Sequence, residues 1–138
     1  MYTVKEVADM MGISEHTLRF WAKNDLFPFL SRDKNNVRLF SESDLGWVKM
    51  VKCLRSVGVD GKSVKRYIDL CIEGDSTINE RYQIIIDTKT KALAQMEELQ
   101  QQLELLNYKE QFYLDLINNN QEDSWNPMNN VKQEKTAV

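Results

Sequence analysis

The sequence predicts a mainly α-helical fold: a winged helix-turn-helix head with a small β-hairpin wing, followed by a long dimerising coiled-coil helix. Three observations predict it. Two short amphipathic helices separated by a Gly turn open the chain. A compact basic stretch, Arg32 to Phe40, follows with Asn-Asn at its centre. Beyond Thr77 neither Gly nor Pro interrupts the chain until Pro127.

Thr3-Val4-Lys5-Glu6 reads as a capping box, the Thr3 hydroxyl accepting from the Glu6 amide while Glu6 reaches back. Val4, Val7, Ala8 and Met11 then fall at i, i+3, i+4 and i+7, one apolar helix face, and Gly12 ends it. Ser14 caps the second helix with Glu15 in its first turn. Leu18, Trp21 and Ala22 face inward there, leaving Ser14, His16, Thr17, Arg19 and Lys23 more exposed. Asn35-Asn36 tolerates the positive φ of a hairpin turn. Ser41 and Ser43 offer caps for a third helix to about Val57, apolar along Trp47, Met50, Val51 and Leu54 and closed by Gly58. Asp60 caps a fourth, on which Val64, Tyr67, Ile68, Cys71 and Ile72 are spaced to pack inward before Gly74.

Thr77-Ile78-Asn79-Glu80 reads as a second capping box at the start of the last helix. From Ile78 to Ile117 twelve positions alternate by four and three, and ten are apolar or aromatic, a seam of coiled-coil type. Tyr82, Ile85, Ala92, Met96, Leu99, Leu103, Leu106 and Tyr113 are the expected dimer interface. Such a helix extends roughly 60 Å. A head this small cannot bury it, so the partner is a second copy. The expected organisation is a head over residues 1–74, a dimerisation helix over 75–118 and a disordered polar tail over 119–138.

The 138 residues allow one compact domain and an extension. The formal charge of −3 divides unevenly: residues 1–73 carry 12 Lys and Arg against 10 Asp and Glu, the remainder 6 against 11. The cationic share lies in the half that holds the helix-turn-helix, where phosphate binding needs it. Two cysteines are too few for a disulfide scaffold, and their spacing fits no metal motif. No signal peptide or long apolar run is evident, so a cytoplasmic protein without membrane contact is expected. No nucleophile–base set, phosphate loop or paired carboxylates suggest catalysis, and no cofactor or metal is expected.

A helix set across another fits the major groove of double-stranded DNA, and a basic hairpin beside it fits the phosphate backbone. The candidate DNA-facing residues are Ser14, His16, Thr17, Arg19, Phe20, Trp21, Lys34 and Arg38. Arg19 and Arg38 lead the set, because the planar guanidinium matches phosphate and guanine alike; the plainer reading of each is a solvated surface Arg. Trp21 reads more readily as core beside Leu18 than as a contact. Cys53 lies off the apolar face of its helix, on the strip Gly46, Lys49, Cys53 and Ser56 with Lys52 adjacent, and nearby ammonium groups favour a thiolate. On residues alone a small packed thiol is the better reading. Cys71 shares the apolar face of the fourth helix and reads as packing.

The stretches "YTVKEVADMMGISEHTLRFWAKNDLFP" and "NNVRLFSESDLGWVKMVKCLRSVGV", with the long helix behind them, resemble the MerR family of bacterial transcription regulators. The family usually has Tyr-Tyr where this chain has Phe20-Trp21, and Gly-Tyr where it has Asn36-Val37. By that comparison one phosphate-directed hydroxyl of the family pattern is expected to be missing here. "WVKMVKCLRSVGV" and "CIEGDSTINERYQII" are similar to the NmlR/AdhR branch, which responds to aldehydes and other electrophiles. The resemblance implies a homodimer on promoter DNA joined by an antiparallel coiled coil of its long helices, distortion of an overlong promoter spacer for RNA polymerase, and Cys53 as sensor thiol for a small electrophile. The alternative is a coiled-coil DNA-binding adaptor or architectural protein without a ligand or thiol switch.

Overall fold

The structure, a computed structural model, describes residues 1–129 and residue 131. Its elements run α1 (Val4–Met11), α2 (Glu15–Lys23), β1 (Ser31–Arg32), β2 (Arg38–Leu39), α3 (Asp44–Val57), α4 (Gly61–Glu73), a 3-10 turn (Asp75–Thr77) and α5 (Ile78–Asn119). The chain divides into two compact units, Met1–Leu93 and Ala94–Val138.

In the first unit the helix ends form largely as the residues dictate. Thr3 and Glu6 make both bonds of the capping box, Glu6 N–H to Thr3 Oγ1 at 3.2 Å and Thr3 N–H to Glu6 Oε1 at 3.1 Å. Gly12 closes α1 at φ 66°, a left-handed conformation that costs Gly little, and Ser14 caps α2 through the Thr17 amide at 3.0 Å. Asp60 caps α4 through the Ser63 amide at 2.7 Å. These bonds to backbone N–H hold the Glu6 and Asp60 carboxyls below their ordinary values of 4.5 and 3.8. A depressed folded-state pKa stabilises the fold above the ordinary value and ceases to as pH falls through it. The melting temperature should therefore drop between about pH 5 and pH 3, and Glu6→Gln should show a shallower drop in the same titration, followed by circular dichroism.

The hairpin pairs Ser31 with Leu39 and Arg32 with Arg38. Asn36 takes φ 63° at the turn, and Asp33 Oδ1 accepts from the amides of Asn35 at 2.8 Å and Val37 at 3.0 Å. A bridge from Tyr2 to Phe40 stitches the N-terminus to the hairpin base. The core gathers Val7, Leu18, Phe40, Val48, Val51, Leu54, Val64 and Ile68, all fully buried, from every helix of the head and the hairpin.

Three expectations are corrected. Ser43 makes no capping bond. Ser41 does so instead, exchanging bonds with Asp44, whose N–H donates to Ser41 Oγ at 3.2 Å while Ser41 N–H donates to Asp44 Oδ2 at 2.8 Å. Thr77 forms no capping box: its hydroxyl donates to the carbonyls of Leu70 (2.6 Å) and Gly74 (2.8 Å), and Glu80 pairs with Arg66 at 2.7 Å. On α4, Ile72 is 57% exposed and Leu70 is buried, because the end of α4 packs on the 3-10 turn as well as on α3.

In the second unit α5 continues to Asn119, and among the described residues none of α5 is buried. Residues 121–129, expected in the polar tail, turn about Asp123, whose carboxylate accepts from the amides of Trp125 and Asn126. The Lys109 ammonium lies 3.2 Å from the Trp125 ring centre and 4.7 Å from that of Phe112. Residues 130 and 132–138, the rest of the expected tail, lie outside the described residues.

Candidate nucleic-acid interface

α2 presents one face to the core and the other outward. Leu18, Trp21 and Ala22 are buried; His16, Arg19 and Phe20 are exposed, Phe20 by 58% despite its apolar ring. An aromatic left in water on the outer face of a helix calls for a partner. Ser14 Oγ donates to Thr17 Oγ1 at 2.8 Å, so the Ser14 proton is taken and Thr17 keeps the free O–H. Arg19 makes a surface ion pair with Glu15 at 3.3 Å, weak enough to yield to a phosphate.

Beside α2 lies a cleft of about 200 Å³ into which Arg19, Arg32 and Arg38 converge, with Asn36 and Val37 from the hairpin tip. Arg32 Nη1 donates to the Asn36 carbonyl at 2.8 Å, so one guanidinium also braces the turn. Lys34 sits exposed on that turn. Three arginines on one concave surface supply the kind of donor set that an anion requires. Arg32 was absent from the sequence-derived set; its register opposite Arg38 was the signal that would have found it.

Trp21 is corrected from a DNA-facing side chain to a core one, 7% exposed, because α2 turns it towards α3 and α4 with Leu18. Its edge borders a second cleft of about 460 Å³ lined by Phe20, Asn24, Arg55, Lys62 and Lys65. Periodicity could not reveal this basic cleft, since it arises where the start of α4 meets the end of α2.

Lys52, expected to assist Cys53, points elsewhere: its ammonium donates to the Met11 carbonyl, one of the acceptors left over at the end of α1. Cys53 and Cys71 are both free, Cys53 exposed and Cys71 half-buried. Cys53 lines an apolar pocket of about 250 Å³ with Met50 and Val57 of α3 and with Ile85, Lys89 and Ala92 of α5. Thr88 also lines it, but its hydroxyl is spent on the Ile84 carbonyl at 2.8 Å. Ile85 and Ala92, two expected interface residues, are thus partly covered by α3. Tyr82, Met96, Leu99, Leu103, Leu106 and Tyr113 are exposed, Leu99 by 70%. Among the described residues no helix is long and apolar enough to cross a membrane.

An outward α2 face beside a hairpin, joined by a cleft of arginines, defines a winged helix-turn-helix DNA-binding protein. Residues 2–71 match the model of the MerR HTH family of regulatory proteins. An HTH-type transcriptional regulator of Haemophilus influenzae is 38% identical over 112 residues, 81% of this chain and 83% of that one. The transcriptional regulator AdhR of Bacillus subtilis is 29% identical over 90 residues, 65% and 64% of the two chains. The crystal structure of HiNmlR, a MerR family regulator lacking the sensor domain and bound to promoter DNA, superposes with a TM-score of 0.75 at 37% identity, covering 83% of this chain and 91% of that one. A MerR family regulator from Bacillus thuringiensis gives 0.73 at 31% identity, covering 78% and 95%. The chain belongs to the MerR family of transcriptional regulators, and its likeness to HiNmlR and AdhR supports the NmlR/AdhR-type branch.

Proposed function

We propose that the protein works as a homodimer on a two-fold symmetric promoter site, each α2 entering a major groove and each hairpin holding the flanking backbone. The observation that carries this reading is the convergence of Arg19, Arg32 and Arg38 on one cleft between α2 and the hairpin. The basic cleft of Arg55, Lys62 and Lys65 supplies a further phosphate contact on the far side of α2. HiNmlR, similar over most of its length, was crystallised on promoter DNA, which supports the same use here. The bound dimer distorts an overlong spacer so that RNA polymerase engages both promoter elements, the stiffness of the central base pairs setting the energy required.

Cys53 is the switch in this reading. Its exposed thiol adds across the carbonyl of an aldehyde: sulfur bonds to carbon, and the thiol proton ends on oxygen as a hemithioacetal. The apolar pocket beside it takes the hydrocarbon part. In a reporter strain Cys53→Ser should abolish induction by aldehyde while leaving operator occupancy within about twofold, since position 53 lies off the arginine cleft. Unchanged induction removes the thiol from the mechanism. A footprint tests the rest: a symmetric protected site in an overlong spacer is expected, whereas diffuse, salt-sensitive protection marks an architectural protein.

A further inference from the structure

The cleft of about 460 Å³ where the end of α2 meets the start of α4 has two kinds of lining. Leu26 and the edge of Trp21, both buried residues, border it, and the Phe20 ring stands beside them largely in water. Arg55 of α3 and Lys62 and Lys65 of α4 supply three cations, and among the described residues no carboxylate lines the cleft. The Arg55 guanidinium is steadied by one bond, Nη1 to the Val59 carbonyl at 2.8 Å, and its planar fork has further N–H donors to offer. Lys65 pairs with Asp69 at 2.8 Å on the surface, a contact weak enough to exchange, and Lys62 makes no ion pair among the described residues. Asp60, just before the cleft residue Gly61, is engaged as the α4 cap through the Ser63 amide. A DNA backbone needs cations and donors, but no ring beside them. Sites for small molecules combine a mostly apolar wall with a few polar groups, in volumes of roughly 300–1,000 Å³.

We propose that this cleft binds a small organic anion with a flat apolar body, an aromatic carboxylate or phosphate ester, and that its occupation displaces the DNA backbone from Arg55, Lys62 and Lys65. The competition rests on the proposed function, in which these three side chains hold phosphate; the binding site itself does not. The body lies against Phe20, with Leu26 and Trp21 behind it, and removes from water an aromatic surface that is 58% exposed. The anionic group meets the Arg55 fork, and Lys62 adds an ammonium free of any ion pair among the described residues. Charge decides the class of ligand. A cationic ring would meet three like charges in the cleft, and a neutral one would leave the donors to water. The Cys53 pocket shares no lining residue with this cleft, so the two sites answer to different molecules: one to an electrophile, the other to an anion held without a covalent bond.

Isothermal titration of the full chain with naphthoate and with naphthyl phosphate tests this, beside the neutral naphthalenemethanol and the cationic naphthylmethylammonium. At least one anion should bind with a dissociation constant at or below about 1 mM, and about tenfold or more tighter than the alcohol and the ammonium. The tighter of the two anions identifies the head group. Phe20→Ala and Lys62→Ala, both at exposed positions, should each weaken that binding about fivefold or more at unchanged helicity. Anions that bind no better than the alcohol, or equally well to both variants, overturn the site. Fluorescence anisotropy of an operator duplex titrated with the tighter anion separates this from the proposed function. A chain that holds the duplex and ignores both anions loses the ligand site and keeps its DNA reading. A chain that takes the anion while the duplex stays bound keeps the site and loses the competition, and with it the phosphate role of the cleft.

Discussion

Replacing Arg19 or Arg38 with Ala is expected to weaken operator binding by roughly 10- to 100-fold each, the range for a lost guanidinium contact at a base edge or phosphate. Arg19 stands on the outward face of α2, and among the described residues its side chain bonds only Glu15, in a surface pair. Freeing it for DNA costs little, so nearly all of the contact energy appears in the complex. Arg38 enters the same cleft from the hairpin, half-buried and held in register opposite Arg32. The two substitutions should differ in kind. If Arg19 reads bases, Arg19→Ala narrows the gap between operator and random DNA. If Arg38 holds phosphate, Arg38→Ala weakens both alike and lowers the salt slope by about one. Fluorescence anisotropy across a salt series, with specific and scrambled duplexes, measures both. Affinities unchanged for either variant would remove that arginine from the interface.

Phe40→Ala is expected to destabilise the head by about 3–5 kcal/mol, the usual range for emptying a buried aromatic site. Phe40 is fully buried and packs edge-on against Phe27 with ring centres 5.8 Å apart. Its backbone also exchanges two bonds with Tyr2, at 2.7 and 2.8 Å. A cavity there loosens the N-terminus, the hairpin and the core together. Small domains hold only about 5–15 kcal/mol in total, so much of the margin disappears. Val37→Ala, in the same hairpin but 47% exposed, should stay within about 0.5 kcal/mol. Urea denaturation of both variants makes the comparison, and equal midpoints would contradict the packing described.

Local chemistry was legible wherever a residue acts on its own neighbours in sequence. The Thr3–Glu6 box, the Ser14 and Asp60 caps, Gly12, Gly58 and the positive φ at Asn36 are bonds or conformations within a few residues, and composition announces them. What failed needed the third dimension. Thr77 has the right spacing for a capping box, but the Leu70 carbonyl, seven residues back, takes its hydroxyl. Lys52 reads as a companion of Cys53, yet the end of α1 supplies a better acceptor. Of the candidate interface, the α2 and hairpin arginines were visible, because a helix face and a short hairpin each have a strict period. The basic cleft at Arg55, Lys62 and Lys65 was not, because its basic residues on α3 and α4 meet the end of α2, distant in sequence.

Lys52 and Cys53 are consecutive residues of α3 that look in different directions. One grasps the carbonyl that precedes the Gly12 turn, and the other borders α5. A helix resists bending far more than it resists tilting as a stiff bar. A tilt of α3 therefore carries both positions together, and the Lys52 ammonium is where α3 meets the end of α1.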